Sequence, residues 1–138
     1  MVDREVFDRR LARLEELLRR LRDLIKVDRD EFLHDEGIQA QAERWTQLAA
    51  ECTLDLANHV IADRGWKTPE TNREAFEILA KEGALDDELA SLMTGWAGLR
   101  NILVHLYLEV DHERLYEILQ QDLDQLEAFA RQLTNFPD

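Results

Sequence analysis

Arg100, Asn101, His105 and Tyr107 fall within the segment RNILVHLY at 100–107, and each brings a different chemistry. Arginine offers a planar fork of donors that matches phosphate oxygens. Histidine is the side chain whose ordinary pKa lets it take and give protons near neutrality. Asparagine donates and accepts at once, and tyrosine adds a phenolic hydroxyl. Cleavage of RNA by its own 2′-hydroxyl needs a base, an acid and a cation for the phosphorane, and Arg100 with His105 would supply those types. Spacing alone favours a helix-surface ion pair for Arg100 and an interface packing position for His105.

On a helix turning about 100° per residue, Leu92, Gly95, Trp96, Leu99, Ile102, Leu103, Leu106 and Val110 gather on one side, the expected core face. Tyr107 falls in line with Arg100. Val104 and Leu108 fall on the outer face, flanked by Asn101 and His105. A solvated face does not usually carry Val and Leu there, so Val104 and Leu108 are expected to meet a second copy of the chain. Arg100 and His105 stand about 140° apart, too far to share one small ligand from a single helix. Two antiparallel copies would bring both sets together in a composite cleft.

The elements that must position this segment are helical. Apolar residues recur at three and four from Phe7 to Ile25 and again from Ala42 to Val60, predicting long helices at about 4–26 and 39–63. VDRDEFLHDEG at 27–37 lacks an apolar face and ends at Gly37, which predicts a joint. Thr71 with Glu74 forms a capping box for a short helix that Gly83 closes. Asp86 is expected to cap a fourth helix reaching about Glu109, and Asp111 to start a last one through Leu133. The expectation is an all-α fold: an antiparallel four-helix bundle with one additional short helix, in a single domain spanning 1–138.

The 138 residues carry a net charge of −13, which argues against nonspecific nucleic-acid binding. The charge is uneven, for residues 1–29 hold 9 of the 17 basic groups against 7 acids. No apolar run approaches the roughly 20 residues of a membrane span, and no signal-peptide h-region opens the chain. The lone Cys52 cannot form an internal disulfide, and a cytoplasmic location is the simplest reading. Cys52 lies on the apolar stripe of its helix, as a buried thiol rather than a nucleophile. Glu31–His34 and Glu109–His112 have the spacing of di-iron ligands, but at helix ends; His59 with Asp55 and Asp63 fits a surface ion cluster better than a chelate. No metal and no cofactor are expected. Trp66, beside Gly65, is expected to anchor its loop.

RNILVHLY matches the R-N-x3-H-x-Y signature of the HEPN superfamily and resembles its HepT-like branch, as does the wider segment MTGWAGLRNILVHLYLEVD. ERWTQLAAECTLDLANHVIADRGWKTPETNREAFEILAKEGAL is similar to the second helix and connecting segment of the same family, so the resemblance runs from about Glu5 to Leu133. It implies an all-helical homodimer acting as a metal-independent ribonuclease, the toxin of a toxin–antitoxin pair. Its partner would be a minimal nucleotidyltransferase antitoxin that neutralises by binding or by transferring AMP. By position, Arg100 would hold the scissile phosphate, His105 would act as general base or acid, Asn101 would orient the site, and Tyr107 would accept AMP. The alternative is a non-catalytic helical dimer that serves the nucleotidyltransferase as binding partner or AMP acceptor.

Overall fold

The structure, a computed structural model, describes residues 3–137, apart from the side chain of Tyr107. Seven α-helices follow one another among these residues: α1 (Arg4–Leu24), α2 (Arg29–His34), α3 (Glu36–Arg64), α4 (Asn72–Lys81), α5 (Asp87–His105), α6 (His112–Gln121) and α7 (Leu123–Asn135). A 3-10 turn, Tyr107–Glu109, separates α5 from α6. The chain is all-helical, as its periodicity predicts, but with more breaks than the pattern shows.

Side chains with local hydrogen-bonding power set most of the helix starts. Asp3, Asp28, Asp35, Asp86 and Asp111 each accept from a backbone N–H of the first turn, and Thr71 accepts from Glu74 N at 3.0 Å. Glu74 reaches back to the N–H of Glu70 at 3.2 Å, so the predicted capping box forms one residue wide of its usual register. Asp35 starts α3 where a joint through Gly37 was expected; Gly37 lies inside the first turn of that helix. Gly65 (φ 66°) and Gly83 (φ 84°) close α3 and α4 in the left-handed region, which a side chain would strain. Asp122 divides the expected last helix in two, giving α6 and α7.

Four long elements run antiparallel to their neighbours. Phe7 near the start of α1 stacks at 6.4 Å on His59 near the end of α3, while Arg20 lies over Trp45 at the other end. Arg22 of α1 holds Asp124 and Glu127 of α7 at 2.7 Å each. The α5 start meets the α7 end, where Gln132 Nε2 donates to Asp86 at 2.6 Å; further along, Trp96 Nε1 donates to Gln125 at 3.0 Å. Phe76 of α4 meets Phe129 of α7 edge to face at 5.8 Å, in a core that also buries Leu14, Leu17, Leu56, Leu79 and Met93. α6 lies across the α1–α2 joint: Tyr116 Oη donates to the carbonyl of Val27 at 2.9 Å and Gln120 to that of Ile25 at 2.8 Å. Trp66 is half-buried against Phe136 at 6.0 Å, anchoring its loop as expected.

The Asp86 carboxyl is held below its ordinary range, first by the N–H of Leu89 and then by Gln132. A depressed folded-state pKa means that this contribution to stability is present above the ordinary aspartate range and is lost as pH falls through the depressed value. Asp86→Ala should therefore lower Tm at neutral pH, and the gap to wild type should narrow as the pH drops below about 4. A thermal-denaturation series against pH checks this; a gap constant with pH would contradict it.

Candidate functional site

The end of α5 carries the residues singled out by their chemistry, but the helix stops earlier than its pattern suggests. Leu106 (φ −126°, ψ 38°) leaves the helical region after His105, and the expected extension to Glu109 is instead the 3-10 turn. A 3-10 turn also sets residues i and i+3 on one side, so the apolar period runs on through the break. The backbone of Tyr107 and Leu108 is thus off the helix. The backbone of Tyr107 opens the turn; the role expected of its side chain lies outside what is described.

The core face of α5 is turned relative to the sequence reading: Trp96 and Leu103 are buried and Leu99 packs against the core as expected, but the rest of the expected face is not enclosed. The core takes Leu89, Ala90, Met93, Trp96, Ala97 and Leu103. Leu92, Ile102 and Leu106, expected inside, are 41%, 39% and 47% exposed. Leu92, Gly95, Leu99, Ile102 and Leu106 follow a spacing of three and four; Leu99 packs against the core from its edge, while Leu92, Ile102 and Leu106 stay at the surface. Leu108, 85% exposed, extends the apolar surface at the turn. Val104, expected to face outward, is half-buried and in line with Met93, Ala97 and Arg100. α5 carries two apolar stripes, and a period of 3.6 does not say which of them meets the body.

Arg100 lies on the inward line and is half-buried. Its Nε donates to Glu51 Oε1 of α3 at 3.3 Å, and its Nη1 donates to Asn101 Oδ1 at 3.2 Å. It also lines a polar pocket of about 290 Å³ with Glu51, Leu54, Asp55, Asn58 and Asn72. Arg100 and Asn101 are therefore brought together. His105 stands exposed in the last turn of α5, and among the described residues no contact joins it to Arg100. One chain alone presents a cation and an imidazole on separate flanks. Sequence reasoning missed Glu51; its signal was a carboxylate inside the alanine-rich stretch of α3, with its partner 49 residues away.

The other candidates resolve as structural contacts. His34 Nδ1 lies 2.8 Å from the carbonyl of Asp30, and His112 Nε2 lies 3.0 Å from Glu43 Oε2 rather than beside Glu109. Among the described residues no three His, Cys, Asp or Glu side chains are grouped to hold a metal ion. Cys52 is half-buried; burial pushes its thiol pKa up and the neighbouring Asp55 adds to this, which disfavours the thiolate. Among the described residues no helix is long and apolar enough to cross a membrane.

The chain is similar to known proteins over most of its length. A family model described as Ribonuclease HepT-like matches residues 14–133. The tRNA nuclease HepT of Aphanizomenon flos-aquae is 28% identical over 131 residues, covering 95% of this chain and 89% of that protein. The mRNA nuclease HepT of Shewanella oneidensis is 25% identical over 125 residues, covering 91% and 93%. The tri-AMPylated HEPN toxin of Shewanella oneidensis, solved in complex with MNT antitoxin, superposes with a TM-score of 0.90 at 24% identity, covering 99% of this chain and 100% of that one.

Proposed function

The chain belongs to the Ribonuclease HepT-like family, and on that premise we propose that it is an RNA endonuclease, the toxin of a toxin–antitoxin pair, working without a metal ion in the cytoplasm. The observation that carries the reading is the end of α5, where a half-buried Arg100 braced by Asn101 and an exposed His105 share the helix with exposed Ile102 and Leu106. In the proposed reaction, His105 takes the proton of the RNA 2′-hydroxyl as that oxygen attacks the adjacent phosphorus. Arg100 neutralises the phosphorane, and the 5′-oxygen leaves with a proton from a second imidazole, closing a 2′,3′-cyclic phosphate. Asn101, accepting from Nη1 of Arg100, orients the guanidinium.

The second imidazole comes from a second copy. Leu92, Ile102 and Leu106 form the contact strip of a homodimer, with Leu108 beside it. An apolar strip of this kind costs free energy when left in water. The dimer sets Arg100 and His105 of one chain opposite those of the other, which a single helix cannot do. The related Shewanella oneidensis toxin is described in complex with MNT antitoxin and as AMPylated. By analogy the partner here is a minimal nucleotidyltransferase, and Tyr107 Oη is the atom that attacks the α-phosphorus of ATP, with pyrophosphate leaving. The strongly acidic body suits docking to a basic surface.

Purified wild type should cut RNA in the presence of EDTA. Arg100→Ala and His105→Ala should each lose at least about 100-fold in rate, the range for removing a catalytic proton-transfer or charge-stabilising group. Ile102→Asp should give a helical monomer with the same loss. Intact RNA from a folded, dimeric, unmodified wild type would move the assignment to the non-catalytic partner of a nucleotidyltransferase. A separate mass measurement reads the modification: incubation with ATP and the cognate nucleotidyltransferase should add AMP to wild type and none to Tyr107→Phe. Equal labelling of both would reject Tyr107 as acceptor.

A further inference from the structure

Arg100 sits in a cradle that its own helix supplies only in part. Its Nε donates to Glu51 Oε1 at 3.3 Å, and the same oxygen accepts from Gln47 Nε2 at 3.2 Å, one turn back along α3. The two side chains of the Arg100–Glu51 pair are 26% and 31% exposed. The ion pair of Arg9 with Glu5 on α1, by contrast, is 70% and 85% exposed. Partial removal from water strengthens a charge pair and holds its geometry, where a fully solvated pair does little of either. Glu51 and Asn101 together engage the guanidinium at Nε and Nη1, and its remaining N–H groups are left without a partner among the described residues.

Resting on the reading of Arg100 as the phosphate-binding residue, we infer that Glu51 is a positioning residue for RNA cleavage. Its carboxylate pins the Nε edge of Arg100, so that the terminal nitrogens are presented to the scissile phosphate in one orientation. Glu51 touches no substrate and acts through Arg100; Gln47 steadies it in turn. The arrangement carries a cost, because a carboxylate beside the guanidinium offsets part of the charge that the phosphate would meet. The two effects separate in kinetics. Orientation belongs to kcat, since misplacing a positioned group weakens the transition state, whereas the offsetting charge belongs to KM.

The test measures kcat, KM and Tm for Glu51→Ala and Glu51→Gln, each alone and in the Arg100→Ala background. Glu51→Ala should lower kcat about 10- to 100-fold, the range for a group misplaced by roughly an ångström, without raising KM. Glu51→Gln keeps an oxygen that can accept from Arg100 Nε and Gln47; it should recover most of the lost kcat and lower KM, having shed the opposing charge. In the Arg100→Ala background, Glu51→Ala should have no further effect on the residual rate. Three results would overturn the inference: wild-type kcat in Glu51→Ala while Arg100→Ala is impaired, equal losses in both Glu51 variants alongside a lowered Tm, or an undiminished effect when Arg100 is already gone. If wild type itself leaves RNA intact, the ribonuclease reading fails and Glu51 loses its role with it. If wild type cleaves, the Glu51 variants judge the positioning role alone.

Discussion

Everything about the site follows from how α5 is docked. The helix has apolar residues on two sides and can bury one of them against α3, α4 and α7. It buries Leu89, Met93, Trp96, Ala97 and Leu103, and so leaves Leu92, Ile102 and Leu106 bare. The same docking turns Arg100 inward, to Glu51, and keeps His105 at the surface. Burial in the body thus fixes three things at once: a half-sheltered guanidinium, an exposed imidazole and an uncovered hydrophobic strip. Reversing the helix about its axis would undo all three, and the hydrogen bond of Trp96 to Gln125 helps to prevent that by tying one flank to α7.

Charge is distributed to serve the fold before it serves the site. Part of the acidity of the chain is spent at helix starts, where Asp3, Asp28, Asp35, Asp86 and Asp111 satisfy backbone donors and favour the positive end of the helix dipole. Arg4, Arg9, Arg13 and Arg20 of α1 pair with acids on their own helix, and Arg22 with α7. Among the residues proposed for chemistry, Arg100 is held differently, by a partner from another helix and in partial shelter from solvent. A cation so placed would meet a phosphate, as proposed, in an orientation already set, which is what a preorganised site requires.

The sequence was most legible where a rule is local. Thr71 with Glu74 and Asp86 before Leu89 announce helix starts that the structure contains, because a cap needs only residues three apart. At 100–107 the spacing alone was a weak signal, and the family resemblance singled the segment out. Legibility ended where several elements decide together. The two stripes of α5 look alike on a wheel, and the choice between them depends on α3 and α7. The stop after His105 and the break at Asp122 keep the apolar period and so leave little mark on it. Glu51 becomes significant once the fold brings α3 beside α5, which no spacing within either segment encodes.

The central claim is that one chain holds the parts and two chains make the site. It is tested most directly by mixing subunits: wild-type and His105→Ala chains are co-expressed with different tags, so that heterodimers holding a single imidazole can be isolated. If the two imidazoles of a dimer serve one cleft as base and acid, the heterodimer should fall nearly to the rate of the His105→Ala homodimer. A purified heterodimer that keeps about half of the wild-type rate would mean that each chain cleaves RNA alone, and the composite cleft would be wrong.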